Sequence, residues 1–380
     1  MNSSEQSLIE HKKYRGKLEI TSTFPLETRE DLSVAYTPGV AEPCREIAKD
    51  KSLAYEYTIK GRSVAVVTDG SAVLGLGNIG PEAGLPVMEG KAILFKRFAN
   101  IDAYPICLAT QNVDEIVATV KNIAPGFGGI NLEDISAPNC FEVERRLIEE
   151  LDIPVMHDDQ HGTAVVVLAG LLNALKLAEK KMEDVHVVIS GAGAAGMGVV
   201  SLLMETGLKR IDMIDSKGII AEGREGMNES KNALAARINP EKKIGLLVDA
   251  IRGADVFIGV SQPNILSIEM IQSMADKPIV FAMANPIPEI MPDLAKEAGV
   301  FVIATGRSDF PNQVNNVLAF PGLFKGALEG RIRKFTPKMF VAAAHAISKM
   351  VETPTVEMIL PTPFTPGTAN AVAQAIQEVE

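Results

Sequence analysis

Residues Val185–Ser190 form a largely apolar run that ends directly on Gly191-Ala192-Gly193-Ala194-Ala195-Gly196. A helical pattern follows at once, with Val199, Val200, Leu202 and Leu203 spaced for one buried face. A strand that turns through glycines straight into a helix leaves few folds open. It belongs to a parallel sheet with crossover helices, in the context of a dinucleotide-binding turn. Gly191 permits the tight turn, Gly193 lets the backbone approach a pyrophosphate, and Gly196 lets the helix pack closely. Ala194 and Ala195 stand between the last two glycines, at the helix N-terminus that carries the phosphate charge. The next strand, Ile211–Ile214, ends in Asp215, nineteen residues after Gly196. An acid there accepts the ribose hydroxyls of NAD and repels a 2′-phosphate. Lys217 and Lys231 lie near enough in sequence to offset that repulsion, so NADP stays open.

A second match to the glycine pattern, Gly75–Gly80, follows the strand Ser63–Thr68. Pro81, Gly84 and Pro86 come next, so the helix is expected only from Val87. The stretch reads as a flexible loop, or as one that wraps substrate or cofactor.

The rest of the chain alternates in the same way. Strands are expected at Tyr104–Leu108, Gly128–Asn131 and Pro154–Met156, with helices Val113–Ala124 and Phe141–Leu151 between them. Later strands are expected at Val256–Val260, Ile279–Met283 and Val300–Ala304, and residues 331–380 are helical with proline joints. The fold class is α/β: an N-terminal parallel β/α domain over 1–160, then a Rossmann-type domain with C-terminal helices over 161–380.

Two acidic pairs end short strands in the first half: Glu133-Asp134 and Asp158-Asp159. Asp158-Asp159 alone would read as a helix cap and dipole partner. Two such pairs at strand ends suggest a hard divalent cation, Mg2+ or Mn2+, held by oxygen. Adjacent strand residues point to opposite faces, so Glu133 and Asp134 converge only in a turn. Lys91 is the other anomaly. It has Val87, Met88, Leu94 and Phe95 at helical spacing around it, which puts it within an apolar stripe. Either it snorkels to water, or it is a desolvated lysine of lowered pKa, fit to act as a base. Asn285 and Asn316 follow strand ends of the Rossmann sheet, as turn residues or as contacts to nicotinamide or substrate.

A net charge of −11 argues against nucleic acid as a partner. Cys44, Cys107 and Cys140 make neither a zinc spacing nor a disulfide framework. The first residues lack a secretory apolar run, and the run from Gly162 meets Asn173 and Lys176 too early for a bilayer span. A soluble cytoplasmic protein is the expectation.

Taken together, Tyr36-Thr37-Pro38-Gly39-Val40, Thr68-Asp69-Gly70, Leu74-Gly75-Leu76-Gly77, Gly90-Lys91, Glu133-Asp134 and Asp158-Asp159 resemble the short bacterial-type malic enzymes. Gly162-Thr163-Ala164, Gly191–Gly196, Asn285-Pro286 and Asn315-Asn316 extend the likeness over almost the whole chain. The resemblance implies oxidative decarboxylation of malate to pyruvate and carbon dioxide, with NAD or NADP reduced. It implies Tyr36 as general acid, Lys91 as general base, and Glu133, Asp134 and Asp159 as metal ligands supported by Asp158. Thr163, Asn285 and Asn316 would face cofactor and substrate, and a homodimer is implied. One departure stands out. Long eukaryotic forms carry a carboxylate-binding arginine just before the Leu-Gly-Leu-Gly run, where this chain has Ala72 and Val73. Two rival readings keep the same motifs: a malolactic-type enzyme that retains its NAD, and a catalytically silent nucleotide-sensing regulator.

Overall fold

A computed structural model of the chain describes residues 3–379. Two parallel sheets account for the alternation. The first contains β1 Ser63–Thr68, β2 Asp102–Cys107, β3 Gly129–Leu132 and β4 Val155–His157, in the order β2-β1-β3-β4. All its pairings are parallel. The second contains β5 His186–Ser190, β6 Arg210–Asp215, β7 Gly218–Ile219, β8 Val256–Gly259, β9 Ile279–Ala282 and β10 Val302–Thr305. Its order is β10-β9-β8-β5-β6-β7, with only β7 antiparallel among the named strands. β5 thus lies between β6 and β8, and the chain reverses direction across the sheet there. Ligands of open α/β sheets bind at the carboxyl ends of strands at such a switch.

The helix Asp158–Ala178 joins the two halves. It is apolar almost all round, as a helix buried on every side should be. Its length and hydropathy would suit a bilayer, yet most of it is buried inside this fold. The helices Ala194–Glu205 and Pro337–Lys349 pack along it. Val64, Val66, Met88 and Phe95 from the first half share one core with Val187, Ile189, Phe320 and Phe324 from the second. Phe95 meets Phe320 and Phe324 edge-on, with ring centroids 4.7 and 5.5 Å apart.

The helix expected from Val87 instead begins at Pro81 and runs to Ala99. Pro81 suits the first helical position, where its missing N–H would be unpaired anyway. Gly84 N donates to Gly80 O, so the first turn closes although Pro86 lies inside the helix. The helix at 158 also starts earlier than its apolar run: both aspartates belong to its first turn.

The N-terminal segment is packed differently. The helices Arg29–Ala35 and Ala41–Lys49 bury none of their side chains. Leu18, Ile20, Phe24, Leu26, Leu32 and Val34 are exposed around them.

Candidate active site

A cleft of about 610 Å³ opens where the two sheets face each other. Ala72, Leu74 and Gly75 line it from beyond β1, Glu133 and Asp134 from beyond β3, and Asp159 from beyond β4. Ala195, Ser261, Asn285 and Gly306 line it from the carboxyl ends of β5, β8, β9 and β10. The loop of the second glycine pattern therefore does line the cleft. A Cβ on Gly75 would stand 2.1 Å from the Asn285 carbonyl oxygen, so only glycine allows this approach between the halves.

The carboxylates converge as a turn requires. β3 ends at Leu132, and Asp134 takes a φ of 54°, a left-handed conformation that swings its side chain back beside Glu133. Asp134 N donates to Asp159 Oδ2 at 2.9 Å, tying the turn after β3 to the helix after β4. One oxygen from each of Glu133, Asp134 and Asp159 falls within 4.8 Å of the others. Asp134 Oδ2 is buried without a hydrogen-bond partner. Burial and the neighbouring Asp159 and Glu133 charges push Asp134 up to about 9. Burial, with Asp159 adding, raises Glu133 to about 7 despite Lys91. Burial, with Asp158 adding, raises Asp159 to about 6. Three mutually repelling oxygen donors, one of them orphaned, fit a hard divalent cation.

Lys91 is buried, at 6% exposure, so it does not snorkel. Its Nζ lies 2.6 Å from Asp158 Oδ2 and 2.9 Å from Glu133 Oε1, and 4.2 Å from the centre of the Phe320 ring. The expectation of a lowered pKa does not hold for this arrangement. Burial pulls Lys91 down, but Asp158 and Glu133 pull harder, and the ammonium is held above its ordinary value. Asp158 is itself raised to about 7 by burial, with Glu133 adding and Lys91 opposing. A Cβ on Gly162 would stand 1.8 Å from Asp158 Oδ1, so glycine makes room for that carboxylate.

Thr163, Asn285 and Asn316 also line the cleft. The side-chain amides of Asn285 and Asn316 make no hydrogen bond among the described residues. Gly191 has a φ of 117°, and Gly193 has open space where a Cβ would be. A Cβ on Gly196 would stand 1.8 Å from the Gly191 carbonyl oxygen, as the close turn demands. Ala194 and Ala195 open the helix Ala194–Glu205. Asp215 ends β6, but it is not a bare carboxylate. Arg224 reaches it at 2.6 Å and Lys231 at 2.7 Å, and Lys217 N donates to it at 2.9 Å. Burial would raise Asp215; these partners outweigh it and hold the carboxyl well below the usual range.

Asp215, Gly191, Gly193 and Gly196 lie outside the lining of the cleft, and Tyr36 is not brought to the cleft of its own chain either. It ends the helix Arg29–Ala35 and is 67% exposed. That helix has no buried face to hold it against the rest of the chain.

Several supporting residues escaped the sequence. Buried Glu144 accepts from His157 N at 2.7 Å and from Gln160 Nε2 at 3.0 Å, fixing the backbone just before Asp158. His161 Nε2 lies 3.1 Å from the same carboxylate. The signal was there: Glu144 sits at helical spacing between buried Cys140 and Leu147, as Lys91 does in its own stripe. Glu289 accepts from Ser261 N and Ala284 N at 3.0 Å each, joining the turns after β8 and β9. Phe320 and Lys17, which also line or cap this region, carry no local signal.

A Rossmann-type sheet facing a buried lysine and a carboxylate trio defines an NAD(P)-dependent oxidoreductase. Two family models match the chain: malic enzyme, N-terminal domain, over residues 15–148, and malic enzyme, NAD binding domain, over residues 160–377. The chain belongs to the malic enzymes. It is 57% identical over 379 residues to the bifunctional malic/malolactic enzyme of Bacillus subtilis strain 168, covering 99% of this chain and 92% of that one. It is 55% identical over 380 residues to the NAD-dependent malic enzyme of Geobacillus stearothermophilus, covering 100% of this chain and 79% of that one. The crystal structure of the NAD-dependent malic enzyme from Thermotoga maritima superposes with a TM-score of 0.95 at 52% identity, covering 98% and 99% of the two chains.

Proposed function

We propose that this chain oxidises malate and decarboxylates it to pyruvate and carbon dioxide while reducing NAD, with a divalent cation in the carboxylate trio. The observation that carries this reading is one cleft holding buried Lys91, the Glu133-Asp134-Asp159 trio and the carboxyl ends of the Rossmann strands. When bound, NAD accepts the hydride, and the cation polarises the ketone and stabilises the negative charge left by departing carbon dioxide.

The chain's own residues do the rest. Glu133, Asp134 and Asp159 hold the cation, and Asp158 orients Lys91. With its own proton first released, neutral Lys91 takes the proton of the substrate hydroxyl. Glu133 is shared between Lys91 and the trio, so a cation competes for one of the two attractions that keep Lys91 protonated. Asn285 and Asn316 offer neutral amides to substrate and nicotinamide, and Thr163 stands on the same wall. Gly191–Gly196 receive the pyrophosphate.

Tyr36 is the general acid in this reading, and it acts across a homodimer. The unburied helices around Tyr36 and their exposed apolar side chains are what a second copy would cover. The partner subunit's Tyr36 then returns a proton to carbon three. The domain division near residue 160 places the metal ligands before it and the nucleotide turn after it, with the helix Asp158–Ala178 crossing the boundary. Three free cysteines accord with a cytoplasmic setting.

A spectrophotometric assay with malate, Mn2+ and either NAD or NADP tests the function. Stoichiometric NADH and pyruvate are expected. Lactate release without net NADH would favour the malolactic reading, which the name of the Bacillus subtilis relative keeps in view. Folded protein that binds NADH but turns over nothing would favour a silent regulator.

A further inference from the structure

We infer that Lys17 binds the substrate carboxylate remote from the metal and sets the preference for a dicarboxylic acid. This rests on the malate reading above.

The charge balance of the cleft calls for such a group. Four carboxylates, Glu133, Asp134, Asp158 and Asp159, face one ammonium, Lys91. One divalent cation still leaves the site net negative before a dianionic substrate enters. A second substrate carboxylate therefore meets repulsion unless another cation faces it. Among the described residues lining the cleft, the basic ones are Lys91 and Lys17. Lys91 is committed to Asp158 and Glu133. Asn285 and Asn316 bring hydrogen bonds but no charge.

Lys17 is placed for the task. Its Nζ donates to the Pro86 carbonyl at 2.8 Å and lies 2.5 Å from His11 Nε2. The Pro86 carbonyl carries no charge, and Lys17 makes no ion pair among the described residues. Its backbone N donates to Glu89 Oε2 at 3.2 Å. Gly16, with a φ of 111°, lets the chain lie on that helix: a Cβ there would stand 2.9 Å from Glu89 Oε1. Pro86 precedes Lys91 by five residues of one helix, about 7.5 Å of rise. Helical side chains lean toward the N-terminus, so Lys91 points back toward the end where Lys17 sits. The two ammonium groups thus address one cleft from different heights. Lys91 is beside the metal ligands, and Lys17 lines the same cleft at the N-terminal end of that helix.

The test uses the full-length protein loaded with Mn2+ and no nucleotide, so that binding is measured without turnover. Calorimetry gives affinities for malate and for lactate, which lacks the second carboxylate. Lys17→Ala should weaken malate binding roughly 10–100-fold, the worth of one charge-assisted hydrogen bond. Lactate binding should change by less than threefold, so the preference for malate collapses. Lys17→Arg should keep most of it. NADH affinity, followed by fluorescence, should not move. With NAD added, the loss should appear in KM for malate more than in kcat. Unchanged malate binding in Lys17→Ala, or equal weakening of malate and lactate, overturns the assignment. Weakened NADH binding with malate binding intact reassigns Lys17 to a cofactor phosphate and also overturns it. Unmutated protein that prefers malate to lactate through Lys17 but never reduces NAD would refute the proposed reaction and leave the Lys17 site standing.

Discussion

Removing the Lys91 ammonium would leave the buried carboxylates Asp158 and Glu133 facing each other without their shared cation. Breaking one partner out of a buried ion pair commonly costs about 3–5 kcal/mol. Here both carboxyls already sit near 7, so protonation softens the loss below that pH. Lys91→Ala should therefore unfold at a lower temperature than the unmutated protein, with a wider gap at pH 8.5 than at pH 6. Its malate oxidation should fall by about 10²–10⁴-fold in protein shown by calorimetry to be folded. A near-normal kcat would remove Lys91 from the mechanism. Asp215 makes a second expectation at a single side chain. Its repulsion of a 2′-phosphate is offset by Arg224 and Lys231, both bonded to it. Asp215→Ser should free both cations and move the ratio of kcat/KM for NADP over NAD upward by about tenfold or more. A ratio that stays put would show that the ribose does not reach this corner. Lys91 and Asp215 were both visible in the chain from their spacing. Lys217 and Lys231 beside Asp215 were visible too, but the partners of Lys91 were not: Asp158 and Phe320 lie far from it in sequence and meet it only through packing.

The turns at strand ends decide what the elements deliver. Between β5 and the helix Ala194–Glu205, the contact of Gly196 with the Gly191 carbonyl admits no Cβ. Gly196→Ala should force the strand and helix apart at a cost of about 1–3 kcal/mol. NADH affinity should fall with it, measured by fluorescence titration, while Mn2+ binding in the other sheet should persist. The turn after β3 and the helix start after β4 form the carboxylate trio, whose raised pKa values come from burial and from one another. In the unfolded chain these carboxyls titrate near 4. Between that value and the folded values of about 6 to 9, the folded state holds more protons than the unfolded one. Stability of the metal-free protein should therefore fall as pH rises through this window. Mn2+ should reverse that trend and release protons on binding, seen as a buffer-dependent heat in calorimetry. A midpoint temperature that climbs from pH 6 to 9 without metal would contradict the trio's electrostatics.

A homodimer that shares its catalytic groups makes a sharp demand on the whole assembly. If each site takes Lys91 from one chain and Tyr36 from the other, Tyr36→Phe and Lys91→Ala chains complement each other. A mixed dimer has one site with both groups and one with neither. Equal amounts of the two inactive variants, unfolded and refolded together, should then recover about a quarter of normal activity, since half the random dimers are mixed and half their sites are whole. No recovery, with mixed dimers demonstrated by mass, would return Tyr36 to its own chain or remove it from the reaction. Much of the fold was legible before any coordinates. Short apolar runs mark strands, helical spacing marks crossovers, and Gly191–Gly196 names the nucleotide turn, because each depends on residues close in the chain. The acidic pairs at Glu133 and Asp158 likewise declared an oxygen-rich site. Packing alone settled the helix start at Pro81, the ion triad that raises Lys91, the Arg224 partner of Asp215, the Glu144 and Glu289 supports, and the place of Lys17. Most of those features arise between segments well separated in the chain. Burial and Coulomb attraction act through space, and only the folded chain sets which charges share a closed volume.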